Sequence, residues 1–254
     1  MTARLAKILS SVVAATLTAA CTGYYEIPIE TPIRPKPDVS AFQRVLVAGF
    51  IAGGTDDVDG NLETTRLLRS QLRTKSEMRV IDTDVLPLME VATEGRSTTG
   101  QTAEAESALA AIREDADLEP YEHLFADVEY WKRIGEEYQQ PLIVTGTVMF
   151  APQARSGIVQ RDQEVYDSFG RRRVVPVRTY MERKGFVLKP RFVFIDGRTG
   201  AVLHSENFRE EVLYNANQTS PALSSYFELM DRLIPSFLST LSSQSIKGSR
   251  VLLQ

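Results

Sequence analysis

Cys21 is the residue of this chain whose chemistry is easiest to read, because it is the only cysteine among 254 residues. Three small residues (18–20) precede it at the end of an apolar run (8–18), and two basic residues stand before that run. This is the pattern of a cleaved export signal, and the run is shorter than the roughly 20 residues that a membrane-spanning helix needs. The pattern predicts a signal peptide over residues 1–20, with the Cys21 thiol at the start of the mature chain.

Residues 17–21 resemble the lipobox of bacterial lipoproteins, whose cysteine receives diacylglycerol, is freed by cleavage and is then N-acylated. They depart from it at Thr18, where Leu is usual. The resemblance implies palmitate-type acyl chains on Cys21, which anchor stably when more than one chain is attached. Thr22 replaces the Asp that commonly retains such proteins at the inner membrane of enteric bacteria, so we expect a lipid anchor in the outer membrane and a domain facing the periplasm. The alternative is an ordinary secretory signal with a chance cysteine.

Few residues have the types and spacing that catalysis requires. His204 stands beside Ser205, but adjacent strand residues face opposite sides and cannot address each other. His123 lies in an acidic, helix-like segment and is expected at the surface. No nucleophile elbow, P-loop or His-x-x-x-His pair occurs. The sequence therefore predicts a protein that is not an enzyme and has no metal site and no cofactor.

The acidic run 56–60 (Asp-Asp-Val-Asp-Gly) is similar to part of a calcium-binding loop. An EF-hand loop needs a carboxylate at its first position and a bidentate Glu at its twelfth, where this chain has Thr55 and Arg66. The match fails at both ends, and a solvated turn that caps the next helix is the favoured interpretation.

The charges are unevenly distributed along the chain. Residues 104–137 contain eleven acidic and three basic residues, whereas residues 171–191 contain eight basic residues and one acidic residue. Such asymmetry steers a protein toward a charged partner or an anionic membrane. The predicted partner-binding residues are Arg171, Arg172, Arg173, Arg178, Arg183 and Lys184. Alternatively, these charges meet the acidic helices internally. The formal net charge of −4 argues against nucleic acid as a partner.

A proline-rich tether is predicted over residues 21–43, because four prolines favour extended backbone there. The alternative is that this segment packs along the domain as an extended strand. The remaining residues, 44–254, are predicted to form one periplasmic domain.

Hydrophobic patterning places the elements of that domain. Strands are predicted at 44–50, 78–82, 142–150, 174–181, 185–195 and 201–214, and helices at 62–75, 103–113, 119–139 and 221–242. Loops are expected at 93–101 and at 151–173, and the second loop is the expected partner site. The order predicts an α/β domain whose mixed β-sheet is flanked by helices. An antiparallel hairpin turns at residues 196–200, and a C-terminal amphipathic helix closes the domain.

Three segments carry a family resemblance. The first is the opening strand that ends in Gly49-Phe50, with the leucine-bearing helix and residues 80–82 that follow it. The others are the stretch 141–148 and the hairpin 194–203 (Phe-Ile-Asp-Gly-Arg-Thr-Gly-Ala-Val-Leu). They resemble the curli-secretion-channel and penicillin-binding-protein-activator lipoproteins, whose fold is shared in outline with the N-terminal domain of the TolB protein. The resemblance implies a lipid-anchored periplasmic binding or assembly protein that contacts an envelope protein. A subunit of an oligomeric outer-membrane secretion pore, which requires a homo-oligomer, is the alternative. No pair of long amphipathic segments that would serve such a channel stands out in the sequence.

Overall fold

The computed structural model describes residues 24–33, 36–97, 112–166, 168–215, 217–218, 220–241 and 244–253. The predicted signal peptide and Cys21 lie outside these residues. So does nearly all of the predicted helix 103–113.

The chain alternates strands and helices before it reaches a run of long strands. In chain order the elements are β1 (Tyr24–Ile33), β2 (Arg44–Gly54), α1 (Gly60–Lys75), β3 (Arg79–Val80), α2 (Leu88–Ser97), a 3₁₀ helix (Asp115–Ala126), α3 (Val128–Glu137), β4 (Leu142–Tyr166), β5 (Arg172–Asp196), β6 (Val202–Asn207), β7 (Glu210–Asn215), α4 (Ala222–Leu241) and β8 (Gln244–Leu253).

Six strands form one mixed sheet. Its order is β3-β2-β4-β5-β6, and β7 also pairs with β5. The pairs β2–β3 and β2–β4 are parallel, and those that involve β5 are antiparallel. The predicted α/β class, with a mixed sheet flanked by helices, an antiparallel hairpin and a C-terminal helix, is confirmed.

Strands β1 and β8 form a second, two-stranded antiparallel sheet that belongs to a separate compact unit. Its register runs from Tyr24↔Leu253 to Ile33↔Gln244. Strand β1 therefore lies within the segment that was predicted to be a tether, with an extended strand as the alternative, and β8 was not predicted.

Helices cover both faces of the six-stranded sheet. Even-numbered residues of β4, such as Val144 and Val148, belong to the core that packs against α1 and α4. Odd-numbered residues, such as Ile143 and Met149, belong to the core beneath α2, the 3₁₀ helix and α3. The sheet alternates between two apolar cores because successive strand residues point to opposite faces.

Two aspartates cap the N-termini of helices α1 and α3. The Asp59 carboxylate accepts a hydrogen bond of 2.9 Å from the Leu62 amide and caps α1. Asp127 does the same for α3 through the Tyr130 amide, at 3.0 Å. Each cap satisfies an amide that has no partner within its helix.

Four of the predicted element boundaries are wrong. The predicted helix 119–139 is a 3₁₀ helix followed by α3, because Pro120 lacks an amide donor and Asp127 caps a new helix. Helix α2 occupies the start of the predicted loop 93–101. The predicted strands 174–181 and 185–195 form the single strand β5, and the predicted strand 201–214 divides into β6 and β7, which pair with different parts of β5.

Candidate functional site

Residues 151–173 form most of a long β-hairpin, so the prediction of a polar loop there is wrong. Strand β4 extends to Tyr166, β5 begins at Arg172, and their register continues without a shift from Leu142↔Asp196 to Tyr166↔Arg172. A strand is recognised in a sequence by the alternation of apolar and polar residues that one buried face produces. This segment has no buried face, so the alternation is missing. We call residues 153–185 the arm.

The arm extends past its neighbouring strands. Strand β2 ends at Gly54, opposite Phe150, and β7 covers β5 only from Leu188 to Arg183. Beyond these points, no other strand of the described chain pairs with β4 or β5. At about 3.3 Å per residue, the fourteen pairs from 153 to 166 give the arm a length of about 45 Å.

One face of the arm is basic. Residues that pair across the hairpin share a face, and the constant register pairs odd numbers with odd numbers, as in Arg155↔Arg183. The odd-numbered residues of the paired strands therefore share one face, which we call the odd face. Its charged residues are Arg155, Arg161, Arg173 and Arg183. No odd-numbered residue of these paired strands is acidic, and exposed valines stand between the arginines.

The opposite, even face is balanced in charge. It has three acidic and three basic residues: Asp162, Glu164, Glu182, Arg172, Arg178 and Lys184. Two ion pairs form among them: Arg172 with Glu164, and Lys184 with Glu182 at 3.8 Å. The net positive charge of the paired strands of the arm therefore lies on the odd face.

The base of the arm shows what the odd face binds within the chain. Lys189 and Arg191 continue the odd-numbered row of β5 and pair with two acidic residues of the 3₁₀ helix. The Lys189 ammonium lies 2.5 Å from Asp115, and the Arg191 guanidinium contacts Glu122. Internal pairing with the acidic helices, the alternative raised from the sequence, is thus observed at these two basic residues at the base.

The six predicted partner-binding residues do not share one face. Arg171 lies in the turn, where its guanidinium is 5.4 Å from the Phe169 ring centroid. Arg173 and Arg183 lie on the odd face, and the remaining three lie on the even face. The prediction omitted Arg155 and Arg161, which come from β4, because only the register between the strands brings them to the odd face. Arg155 also contacts Glu211 of β7 at 2.9 Å.

His204 packs against an aromatic ring and lies near a carboxylate. His204 stacks on Phe194 with a centroid separation of 6.0 Å, and its Nε2 is 3.6 Å from Glu206. Ser205 accepts a hydrogen bond of 3.0 Å from Arg191. His204 and Ser205 are therefore engaged with different partners and do not form a catalytic pair.

Glu206 of strand β6 accepts hydrogen bonds from Lys36 and Thr240. Its partial burial acts to raise its carboxyl pKa, but hydrogen bonds from Lys36 and Thr240 outweigh that effect and keep the pKa below its ordinary value. The charged carboxylate thus links the segment before β2 to α4.

The acidic run 56–60 performs capping, since Asp59 caps α1 and Asp57 accepts from the Thr55 hydroxyl at 3.0 Å. Across the described ranges, no three side chains of the types that bind metals come together. Within that same part of the chain, no helix combines the length and the apolar character needed to cross a membrane.

No family model matches this chain, and no curated protein matches it. Among solved structures, it is similar to the crystal structure of lipoprotein GNA1162 from Neisseria meningitidis. The identity is 12%, the TM-score is 0.32, and the match covers 77% of this chain and 97% of that chain. At this TM-score the likeness supports no statement about function, and the resemblance to curli-channel and activator lipoproteins stays a prediction.

Proposed function

We propose that this chain is a lipid-anchored periplasmic protein of the bacterial cell envelope that binds or assembles another envelope protein through its arm. Cys21 and the preceding signal pattern support the anchor, and Thr22 supports its placement in the outer membrane. The role requires binding alone and no catalysis. The observation that carries the proposal is the odd face, along which β4 and β5 place four arginines and no acidic residue, while Glu211 of β7 contacts Arg155 at its base.

The stability of the fold does not explain why the chain has the arm. Residues 155–166 and 168–176 are exposed throughout. A ribbon of two strands that buries no apolar face is marginally stable in water. Exposed ion pairs contribute about 0–1 kcal/mol each, so the arginines add little to stability. A binding role explains an arm that contributes so little to the core.

The expected partner presents an acidic protein surface. At the base of the arm, Lys189 and Arg191 of the same strand already bind carboxylates of the 3₁₀ helix. Arginine forms strong, directional pairs with carboxylates, and the valines between the arginines provide apolar contact area. We expect the partner to have a row of Asp and Glu side chains with apolar residues among them.

Two matched variants of the full chain test this function. Arg161, Arg173 and Arg183 are replaced by Gln in the odd-face variant, and Arg172, Arg178 and Lys184 are replaced by Gln in the even-face control. Each removes three positive charges from the same hairpin. Binding to poly-glutamate, a defined acidic probe, is measured at two salt concentrations, beside capture and identification of proteins from envelope extract.

The odd-face variant should bind poly-glutamate between about threefold and a hundredfold more weakly, because each exposed pair contributes about 0.2–1 kcal/mol. It should also lose proteins that the even-face control still captures, and added salt should reduce the difference. Equal losses in the two variants would show that total charge and not the odd face governs binding, and would contradict the proposal.

A further inference from the structure

The two edges of the arm differ in their backbone hydrogen-bonding groups. In an antiparallel ladder, the amide and carbonyl of one residue point to the same side, and successive residues alternate. The Phe150 carbonyl accepts from the Thr55 amide at 2.8 Å, on the side of β4 that faces away from β5. The Pro190 carbonyl accepts from Phe208 at 2.9 Å, on the side of β5 that faces away from β4. Even-numbered residues therefore direct their backbone groups outward on both strands.

A proline interrupts the outer edge of β5. Pro176 is even-numbered, so the donor it lacks is one that would point outward. Proline on an edge is a common obstacle to pairing with another strand. On one side of Pro176, only two outward-pointing residues of β5 remain before the strand ends. On the other side, three remain before β7 pairs with the strand.

The outer edge of β4 is open. From Ala154 to Tyr166, seven even-numbered residues direct an amide and a carbonyl outward with no proline among them. No other strand of the described chain covers this edge beyond Phe150. A row of unpaired donors and acceptors of this length is a template for another strand.

We infer that the β4 edge of the arm pairs with the β4 edge of a second copy of this chain, in an antiparallel and two-fold symmetric dimer centred on Gln160. In this register Ile158 meets Asp162, and Val159 meets Arg161. Of the charged residues, Arg155 meets Val165 and Glu164 meets Ser156, so no two like charges stand directly opposite.

The proline also decides the size of the assembly. If β4 of one copy paired with β5 of the next, the contact would repeat and generate rings or open chains. Pro176 obstructs that addition, whereas β4-to-β4 pairing uses the same edge of both copies and closes at two. The dimer also places two odd faces side by side, which doubles the surface proposed above to bind an acidic partner. The inference of a dimer depends only on the backbone groups at the edges of β4 and β5. It does not depend on the proposed lipid anchor, which would only hold the copies in the same membrane.

Single cysteines test the pairing, because acylation of Cys21 would leave the introduced thiol as the only free one in the full chain. Gln160→Cys is compared with Arg178→Cys, a matched control that stands directly opposite on the same face of the arm. In the dimer the two copies of position 160 are about 5.5 Å apart between Cα atoms, which suits a disulfide. The two copies of position 178 are about 15 Å apart, across three strand spacings.

Mild oxidation of membranes that carry the full chain should produce a disulfide-linked dimer from Gln160→Cys and none from Arg178→Cys. A dimer from both variants in equal yield, or from neither, overturns the inference. Because the contact is made by backbone hydrogen bonds, high salt should leave the yield unchanged, whereas it weakens binding to poly-glutamate. The two proposals can therefore fail separately.

A second pair of variants tests the edge without cysteine chemistry. Gln160→Pro and Arg178→Pro each remove one outward donor, on β4 and on β5 respectively. Sedimentation of the detergent-extracted chain should give a dimer for the natural chain and for Arg178→Pro, and a monomer for Gln160→Pro. Melting curves check that both variants are folded. A monomeric natural chain, a species larger than two, or a dimeric Gln160→Pro contradicts the inference.

Discussion

Tyr226 shows how a buried hydroxyl is accommodated at the scale of one residue. It is fully buried on α4, its hydroxyl contacts the Thr64 hydroxyl, and it donates to the Gly60 carbonyl at 3.2 Å. Burial raises the pKa of Tyr226 well above its ordinary value, since ionisation there would place an unsolvated charge in the core. The hydroxyl thus links α1 to α4 only in its neutral form.

This contact predicts how stability depends on alkaline pH. In the unfolded chain Tyr226 ionises near pH 10, while in the folded chain it stays protonated. The stabilisation it provides is complete below that pH, and the free energy of unfolding falls as pH rises above it. Tyr226→Phe should cost about 0.5–1.5 kcal/mol at neutral pH and remove part of the alkaline loss. Denaturant titrations from pH 8 to 11 measure both effects.

Tyr130 provides the comparison for that titration. It is partly exposed on α3, and burial raises the pKa of its hydroxyl as well. Tyr130→Phe should change the alkaline slope less than Tyr226→Phe, because its ring is less buried. Equal slopes in the natural chain and Tyr226→Phe would show that Tyr226 does not control the alkaline loss.

At the scale of elements, two turns have the same backbone conformation in different surroundings. Gly200 (φ 74°) ends the turn between β5 and β6, and Gly170 (φ 72°) lies in the turn at the tip of the arm. A Cβ at position 200 would stand 2.1 Å from the Val128 carbonyl oxygen of α3, whereas at position 170 it would meet nothing within 4 Å. The first turn is packed against a helix and the second is open.

Substitution by alanine should separate backbone strain from packing. Gly170→Ala should cost only the strain of a left-handed residue, about 1–2 kcal/mol, and that cost falls on the arm. Gly200→Ala should lower the stability of the whole sheet further, since α3 must also shift. Thermal melts compare the two. A smaller loss at position 200 than at position 170 would show that the turn is not held against α3.

The arm is also a property of its elements, because it continues two core strands. The same alternation that buries even and odd residues of β4 in separate cores near Val144 gives the arm its two exposed faces. The paired strands thus continue from the packed sheet into the arm without a shift in register.

At the scale of the whole molecule, the proposed lipid anchor on Cys21 would determine where the arm can act. Cys21→Ala removes the thiol to which lipid would be attached, so we expect uncleaved precursor held at the inner membrane and no incorporation of a palmitate analogue. Metabolic labelling and membrane fractionation measure this outcome. Label retained in the Cys21→Ala chain would exclude the lipoprotein assignment, while label in the natural chain at the inner membrane would contradict only the predicted location.

The sequence by itself determined the features that depend on neighbours in the chain. The turn at residues 56–60 precedes α1 and caps it, the turn at residues 196–200 joins two strands, and α4 follows its apolar stripe. These signals are local, because a cap, a turn or a helical face is formed within a few residues. The predicted export signal around Cys21 is a local pattern of the same kind, and it stays a prediction.

Only the tertiary structure decided the arm and its odd face. Arg161 and Arg173 are twelve positions apart in the sequence, and they share a face only because the register of β4 with β5 brings the two strands together. An exposed hairpin has no buried face, so it leaves no apolar alternation for the sequence to show. Whether the backbone groups of residues 160 and 176 point outward likewise depends on which residues pair, and that pairing is fixed between strands and not within them.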